Sequence, residues 1–142
     1  MLNQIISGIS AALTAAFGEE AEIYSEGTGQ GDDAPCFFIV PLSSSQTQII
    51  GNRYRLENPF DIRYFPGEVQ ERESKMNAVA EKLMLVLEYV ETEAGLLRGT
   101  KLHYEKTDGV LHFFVNYNMH VRRDIPKEDS MNELTAESGL KE

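Results

Sequence analysis

Apolar side chains recur at three- and four-residue spacings from the first residues onward: Leu2, Ile5, Ile6, Ile9, Leu13, Ala16 and Phe17, with Gly18 as a stop signal. The spacing predicts a helix over residues 2–17. Its other face carries Ser7, Gly8, Ser10, Ala11, Thr14 and Ala15, small and uncharged where a solvated helix ordinarily carries Lys and Glu. Such a face suits either close packing under the protein's own loops or contact with another subunit.

Residues 21–25 read as a short strand, and residues 26–34, rich in Gly and Asp, as a long mobile loop. The run Pro35-Cys-Phe-Phe-Ile-Val-Pro-Leu42 is continuously apolar between prolines, the pattern of a strand buried on both faces, and so is expected at the centre of a sheet. Residues 43–48 are polar and read as a connection. From Arg53 to Tyr64 the chain alternates: Tyr54, Leu56, Phe60, Ile62 and Tyr64 on one face, Arg53, Arg55, Glu57, Asp61 and Arg63 on the other. Pro59 lacks a ladder donor, so an edge position or a bulge is expected there. The helical period returns with Val69, Met76, Val79, Ala80, Leu83, Val86, Leu87 and Val90, predicting a second helix to about Glu91, with Glu71 and Lys75 in the favourable order for an i,i+4 ion pair.

Asp108-Gly109 tolerates the positive φ angles of a two-residue type I′ turn, which predicts a hairpin with Tyr104 opposite Phe113 and Leu102 opposite Val115. Leu111, Tyr117, Met119 and Val121 continue that apolar face. Residues 124–142 hold six acids and two bases with few large apolar side chains and read as a disordered tail. The expected fold class is therefore α+β: a mostly antiparallel sheet of about five strands packed by two helices, in the order α-β-β-β-α-β-β, over residues 1–123.

Composition narrows the function. The 142 residues carry 23 Asp and Glu against 13 Lys and Arg, a formal charge of −10, of which the tail accounts for −4. No Lys/Arg run is present to neutralise neighbouring phosphates, so ordinary nucleic-acid binding by the free subunit is disfavoured. No apolar stretch approaches the roughly 18 residues of a spanning helix, and the first residues lack the basic flank of a signal peptide, so no membrane partner is expected. Cys36, inside the apolar run, reads as a buried thiol.

Candidate chemistry is sparse. Gly27, Gly29 and Gly31 alternate, but no Gly-Lys-Ser/Thr follows, and Asp32 and Asp33 would repel a phosphate. His112 and His120 lie eight residues apart on one strand, about 26 Å, too far to share an ion. In the hairpin register His112 faces Glu105 and lies diagonal to His103, which supplies two nitrogens and a carboxylate without a fourth ligand. Glu73-Ser74-Lys75 has the Glu-x-Lys form of a nuclease core, but the period places it on a helix. No serine occupies a Gly-x-Ser-x-Gly elbow, and nothing brings a histidine beside Cys36. No catalytic, cofactor or metal residues are assigned, and a non-enzymatic role is expected.

Two stretches, Asn52-Arg-Tyr-Arg-Leu-Glu-Asn-Pro-Phe-Asp-Ile-Arg-Tyr-Phe-Pro66 and His112-Phe-Phe-Val-Asn-Tyr-Asn-Met-His-Val-Arg-Arg123, resemble the tail terminator (tail completion) proteins of tailed bacteriophages and prophages, as do the amino-terminal helix and the residues 35–42 strand. The resemblance covers residues 1–123 in element order; the acidic tail lies outside it. It implies a structural virion subunit, assembled in the bacterial cytoplasm, that forms a closed ring, commonly a hexamer. The ring would stop tube polymerisation at the head-proximal end of the tail. Its partners would be further copies of itself, the tail tube protein and the head-tail connector, with DNA passing through the lumen without specific binding. A heterologous ring interface needs two unlike patches per subunit. Arg53, Arg55 and Arg63, meeting Asp32, Asp33 or Glu71 of a neighbour, are the candidate interface residues. Two other readings stand beside it. One is a stand-alone ligand-binding, metal-binding or enzymatic domain centred on His103, Glu105 and His112; the other is a different virion part such as a head-tail joining or tube protein.

Overall fold

The structure, a computed structural model, describes residues 2–25 and 35–123. Along the chain it runs α1 (Leu2–Phe17), β1 (Glu22–Tyr24), β2 (Cys36–Pro41), β3 (Ser45–Ile50), β4 (Arg53–Phe65), α2 (Arg72–Val86), β5 (Tyr89–Thr92), β6 (Gly95–Thr107) and β7 (Val110–Arg122). The strands form one sheet in the order β1-β2-β4-β7-β6-β5, with β3 paired to β4. β1 and β2 pair parallel, whereas β2–β4, β5–β6 and β6–β7 are antiparallel. Among the described residues the class is α+β with two helices, as the sequence predicts, but with seven strands rather than five.

The described residues divide into two compact units, one of residues 2–25, 35–46 and 56–119 and one of residues 47–55 and 120–123. The first holds the core. From α1 it takes Ile5, Ile9, Leu13 and Phe17, and from α2 Met76, Val79, Ala80 and Leu83. Sheet residues of one face complete it: Phe37 and Ile39 of β2, Phe60, Ile62 and Tyr64 of β4, and Leu111, Phe113, Val115 and Tyr117 of β7. These strand residues alternate with period two, which is why one face of each strand reaches the helices. Burial of a large side chain contributes about 1.5–3 kcal/mol, so this face decides the register of β4 and β7.

Two strands were not expected. β3 occupies the stretch read as a polar connection, and all six of its residues are exposed, so no burial pattern marks it. β5 occupies the end of the expected second helix. That helix stops at Val86 because Leu87 leaves helical geometry (φ −99°, ψ 5°) while still donating its N–H to Leu83. Val90 fits a helical period and also the period of Tyr89–Thr92, where it is buried 2% exposed opposite Leu97. Short apolar runs carry this ambiguity.

Further expectations are corrected. β2 lies second from the end of the sheet rather than at its centre. β4 is interior, and Pro59 is tolerated because its C=O accepts from Leu42 N–H just where β2 has ended at Pro41, so the missing donor falls at a strand terminus. α2 begins at Arg72, leaving Val69 outside it and exposed. Glu71 is the cap residue in the left-handed region (φ 56°), so it is not helical, and Lys75 pairs instead with Glu20 at 3.5 Å.

The Asp108-Gly109 turn forms with both residues at positive φ (53° and 76°), and Tyr104 pairs with Phe113 as predicted. Leu102 meets Val115 only within a bulge, which it shares with Lys101. The register shifts between Thr100 and His103, where Lys101 takes φ 55°, a bulge that places two residues of β6 against one of β7.

Candidate interaction surfaces

The face of the sheet away from the helices is built from the alternate residues of β2, β4, β6 and β7. At its middle lies Asp61, 3% exposed, although the alternation assigned it to a solvated charged face. Its carboxylate accepts from Arg63 Nε at 3.0 Å and from His112 Nδ1 at 3.0 Å. Pairing explains how a carboxylate is held out of water there. Around it the face is aromatic: Tyr24 stacks on Phe38 (5.0 Å), Phe38 meets Phe65 edge-on (5.6 Å), and Phe114 lies between His103 (4.9 Å) and His112 (6.3 Å). A cleft of about 280 Å³ opens on this face, with Pro59, Phe114, Lys101 and Glu57 in its walls.

The second unit carries a different surface. β3 and β4 are joined by Gly51-Asn52, with Gly51 at φ 56° and Gln48 Nε2 donating to its C=O at 2.7 Å. Ile49 and Ile50, next to that turn, are 51% and 68% exposed. Arg123 N–H donates to Asn52 C=O, setting those two residues opposite one another. Counting back along antiparallel strands places Arg53 opposite Arg122 and Arg55 opposite His120. All four are exposed, whereas Tyr54 and Val121 on the other face are half-buried, with the Arg123 guanidinium 5.6 Å from the Tyr54 ring. Thr47–Arg55 and residues 120–123 contain no Asp or Glu, so this ribbon is basic in a chain of net charge −10. Like charges directly opposite one another on a ladder are unfavourable.

A third surface is a groove of about 440 Å³ in the first unit, between α1 and the β5–β6 turn. Gly8 lets the two approach: a Cβ there would lie 2.7 Å from Glu91 O. Of the small-residue face of α1, Gly8 is thus covered by the protein's own β5 and Ser10 is half-buried, while Thr14 and Ala15 are exposed further along the helix. The rest, Ser7 and Ala11 with Asn3, remains exposed and forms one wall, facing Glu91, Thr92 and Glu93. Glu91 and Glu93 make no ion pair among the described residues, and Gln4 Oε1, in the same wall, is buried without a hydrogen-bond partner.

The expected interface residues are therefore dispersed. Arg53 and Arg55 lie together on the basic ribbon, Arg63 is engaged by Asp61 of its own chain, and Glu71 is exposed at the start of α2. Asp32, Asp33, the glycine-rich loop and the acidic tail lie outside the described residues. The His103–Glu105–His112 arrangement brings Glu105 opposite His112, but His112 turns its Nδ1 to Asp61 and His103 bonds Lys101 O at 2.8 Å. No cluster of three or more metal-ligating side chains occurs among the described residues. Glu73 and Lys75 lie on α2, where Glu73 accepts from Lys106 Nζ at 2.8 Å. Sequence reasoning missed the Asp61–His112 contact, which depends on the β4–β7 pairing, and the ribbon, for which the Gly51-Asn52 turn dipeptide was the available signal.

No curated protein matches the chain. A family model described as phage tail terminator protein matches residues 4–129, which include every helix and strand but the first two residues of α1. The chain belongs to the phage tail terminator protein family, structural components of the virion tail.

Proposed function

We propose that this protein caps the head-proximal end of the tail tube as a closed ring, six copies being the expected number, stopping tube polymerisation and offering the opposite ring face to the head-tail connector. The family match over residues 4–129 carries this reading. Physical features support it. A head-to-tail interface that closes needs two unlike surfaces on one subunit, and the described residues hold a basic ribbon and an acid-rimmed groove. The prevailing negative charge suits a conduit through which DNA slides without being held, since a carboxylate lining repels phosphates. In this reading the subunits assemble in the host cytoplasm, contact the tube protein and connector, and perform no catalysis.

The test is deletion of the gene from the phage or prophage that encodes it. Overlong or headless tails, restored to normal length by supplying the gene in trans, are the expected result. Normal particles from the deletion strain would refute the role.

A further inference from the structure

We propose that the β3–β4 ribbon of one copy docks in the α1–β5 groove of the next copy, so that ring contacts are made by Ile49, Ile50, Arg53 and Arg55 against the walls carrying Ser7, Ala11, Glu91 and Glu93. The proposal deepens the ring-forming reading and rests on it.

Charge complementarity carries it. The ribbon places Arg53, Arg55, His120 and Arg122 on one exposed face with no carboxylate among its described residues, an arrangement that is unfavourable in isolation and relieved by an acidic partner. The groove offers Glu91 and Glu93, exposed and without an ion pair of their own among the described residues. Apolar content matches as well. Two large isoleucines stand exposed at the ribbon's turn, on a strand with no buried residue. The groove, about 440 Å³, has an α1 wall of Ser7, Gly8 and Ala11 low enough for a strand to approach closely. Because ribbon and groove are unlike, each copy gives one and receives one, the condition for a ring.

Disulfide trapping tests the geometry. The full-length chain carrying Ile50→Cys and Ser7→Cys is expressed with the remaining tail genes, and purified tails are oxidised and run without reductant. We expect a ladder extending beyond dimer only when both cysteines are present. Adding Glu91→Arg and Glu93→Arg should cut that ladder at least ten-fold, and adding Arg53→Glu and Arg55→Glu to those should restore it. Tails that contain the double-cysteine chain but give no ladder, or a ladder insensitive to the reversals, overturn the docking. Loss of the ladder when the tails are digested with nuclease before oxidation also overturns it, by assigning the ribbon to a phosphate backbone. Tail length separates the two ideas. Normal tails from the deletion strain refute the capping role itself, whereas overlong tails there, with normal-length but unladdered tails from the double-cysteine chain, refute only this interface.

Discussion

His112 holds its Nδ1 3.0 Å from Oδ2 of Asp61, a carboxylate whose side chain is only 5% exposed. The two residues are far apart in sequence and meet across β4 and β7. Arg63, two positions along β4, completes the set from the same face. A charged group is thereby fixed in the middle of an aromatic sheet face, and the cost of removing it from water is offset only while its partners remain.

Asp61 and its partners should therefore respond unequally to substitution. Asp61→Asn keeps the shape and leaves Arg63 and His112 able to reach water, so about 1–2 kcal/mol of stability is expected to be lost. Replacing Arg63 and His112 together by Ala strands the carboxylate, and about 3 kcal/mol or more should go. Urea unfolding of the three chains checks the order; equal losses would show that the carboxylate is solvated after all.

Gly8 sets helix propensity against packing. Ala in a helix interior is favoured over Gly by about 1 kcal/mol. Its Cβ would lie 2.7 Å from Glu91 O, a backbone atom of β5 that cannot rotate away, and overpacking of this kind costs about 1–3 kcal/mol. Gly8→Ala is expected to lower stability by up to about 2 kcal/mol despite the better propensity. Thermal unfolding measures it, and a higher Tm would mean that α1 and β5 can separate freely.

These positions show what a single sequence discloses. The α1 helix, the Tyr104–Phe113 register and the buried faces of β4 and β7 follow from periodicity and turn residues, because burial against one core imposes a period the sequence must carry. β3 carries no such imprint, since all six of its residues are exposed, and β5 reads as the end of a helix because Val90 satisfies both periods. Asp61 was assigned to water by its charge, and only the meeting of β4 with β7 brings His112 to it. The candidate site was legible in part for the same reason. Arg53 and Arg55 were visible as a pair on one face, but their companions Arg122 and His120 lie at the other end of the chain, brought beside them by strand pairing.

Tyr117 links the core to alkaline stability. Its hydroxyl donates to Leu87 O at 2.5 Å, and burial pushes its ionisation above the ordinary value of 10.0. Tyr64 is raised too, by burial first and then by Glu20 and Cys36. Because the folded values are raised, the contribution is fully present below the unfolded value of 10.0 and is lost as pH rises above it, at up to about 1.4 kcal/mol per pH unit for each group. Tyr117→Phe should be less stable at pH 7 by about 1–3 kcal/mol, the cost of an unpaired buried carbonyl, yet lose stability less steeply from pH 10 upward. Parallel pH profiles for the two proteins would contradict this.

Asn116 provides the final test, because its one amide serves two groups of β4. Its Oδ1 accepts from Asn58 N–H at 3.0 Å and its Nδ2 donates to Glu57 Oε1 at 3.1 Å, while Asn58 Nδ2 donates to Tyr117 O at 3.2 Å. Asn58 and Asn116 are 7% and 6% exposed, so water is a poor substitute. Asn116→Ala leaves the Asn58 N–H without its acceptor beside Pro59, and about 1–3 kcal/mol should be lost. Asn116→Asp retains that acceptor but replaces the donor with a carboxylate facing Glu57, exchanging an attraction for a like-charge repulsion. Its destabilisation should be relieved by Glu57→Gln, which has no such effect on Asn116→Ala. Unfolding free energies of the two single and two double variants close the comparison; failure of Glu57→Gln to rescue Asn116→Asp would show that the Glu57 contact contributes nothing to the junction.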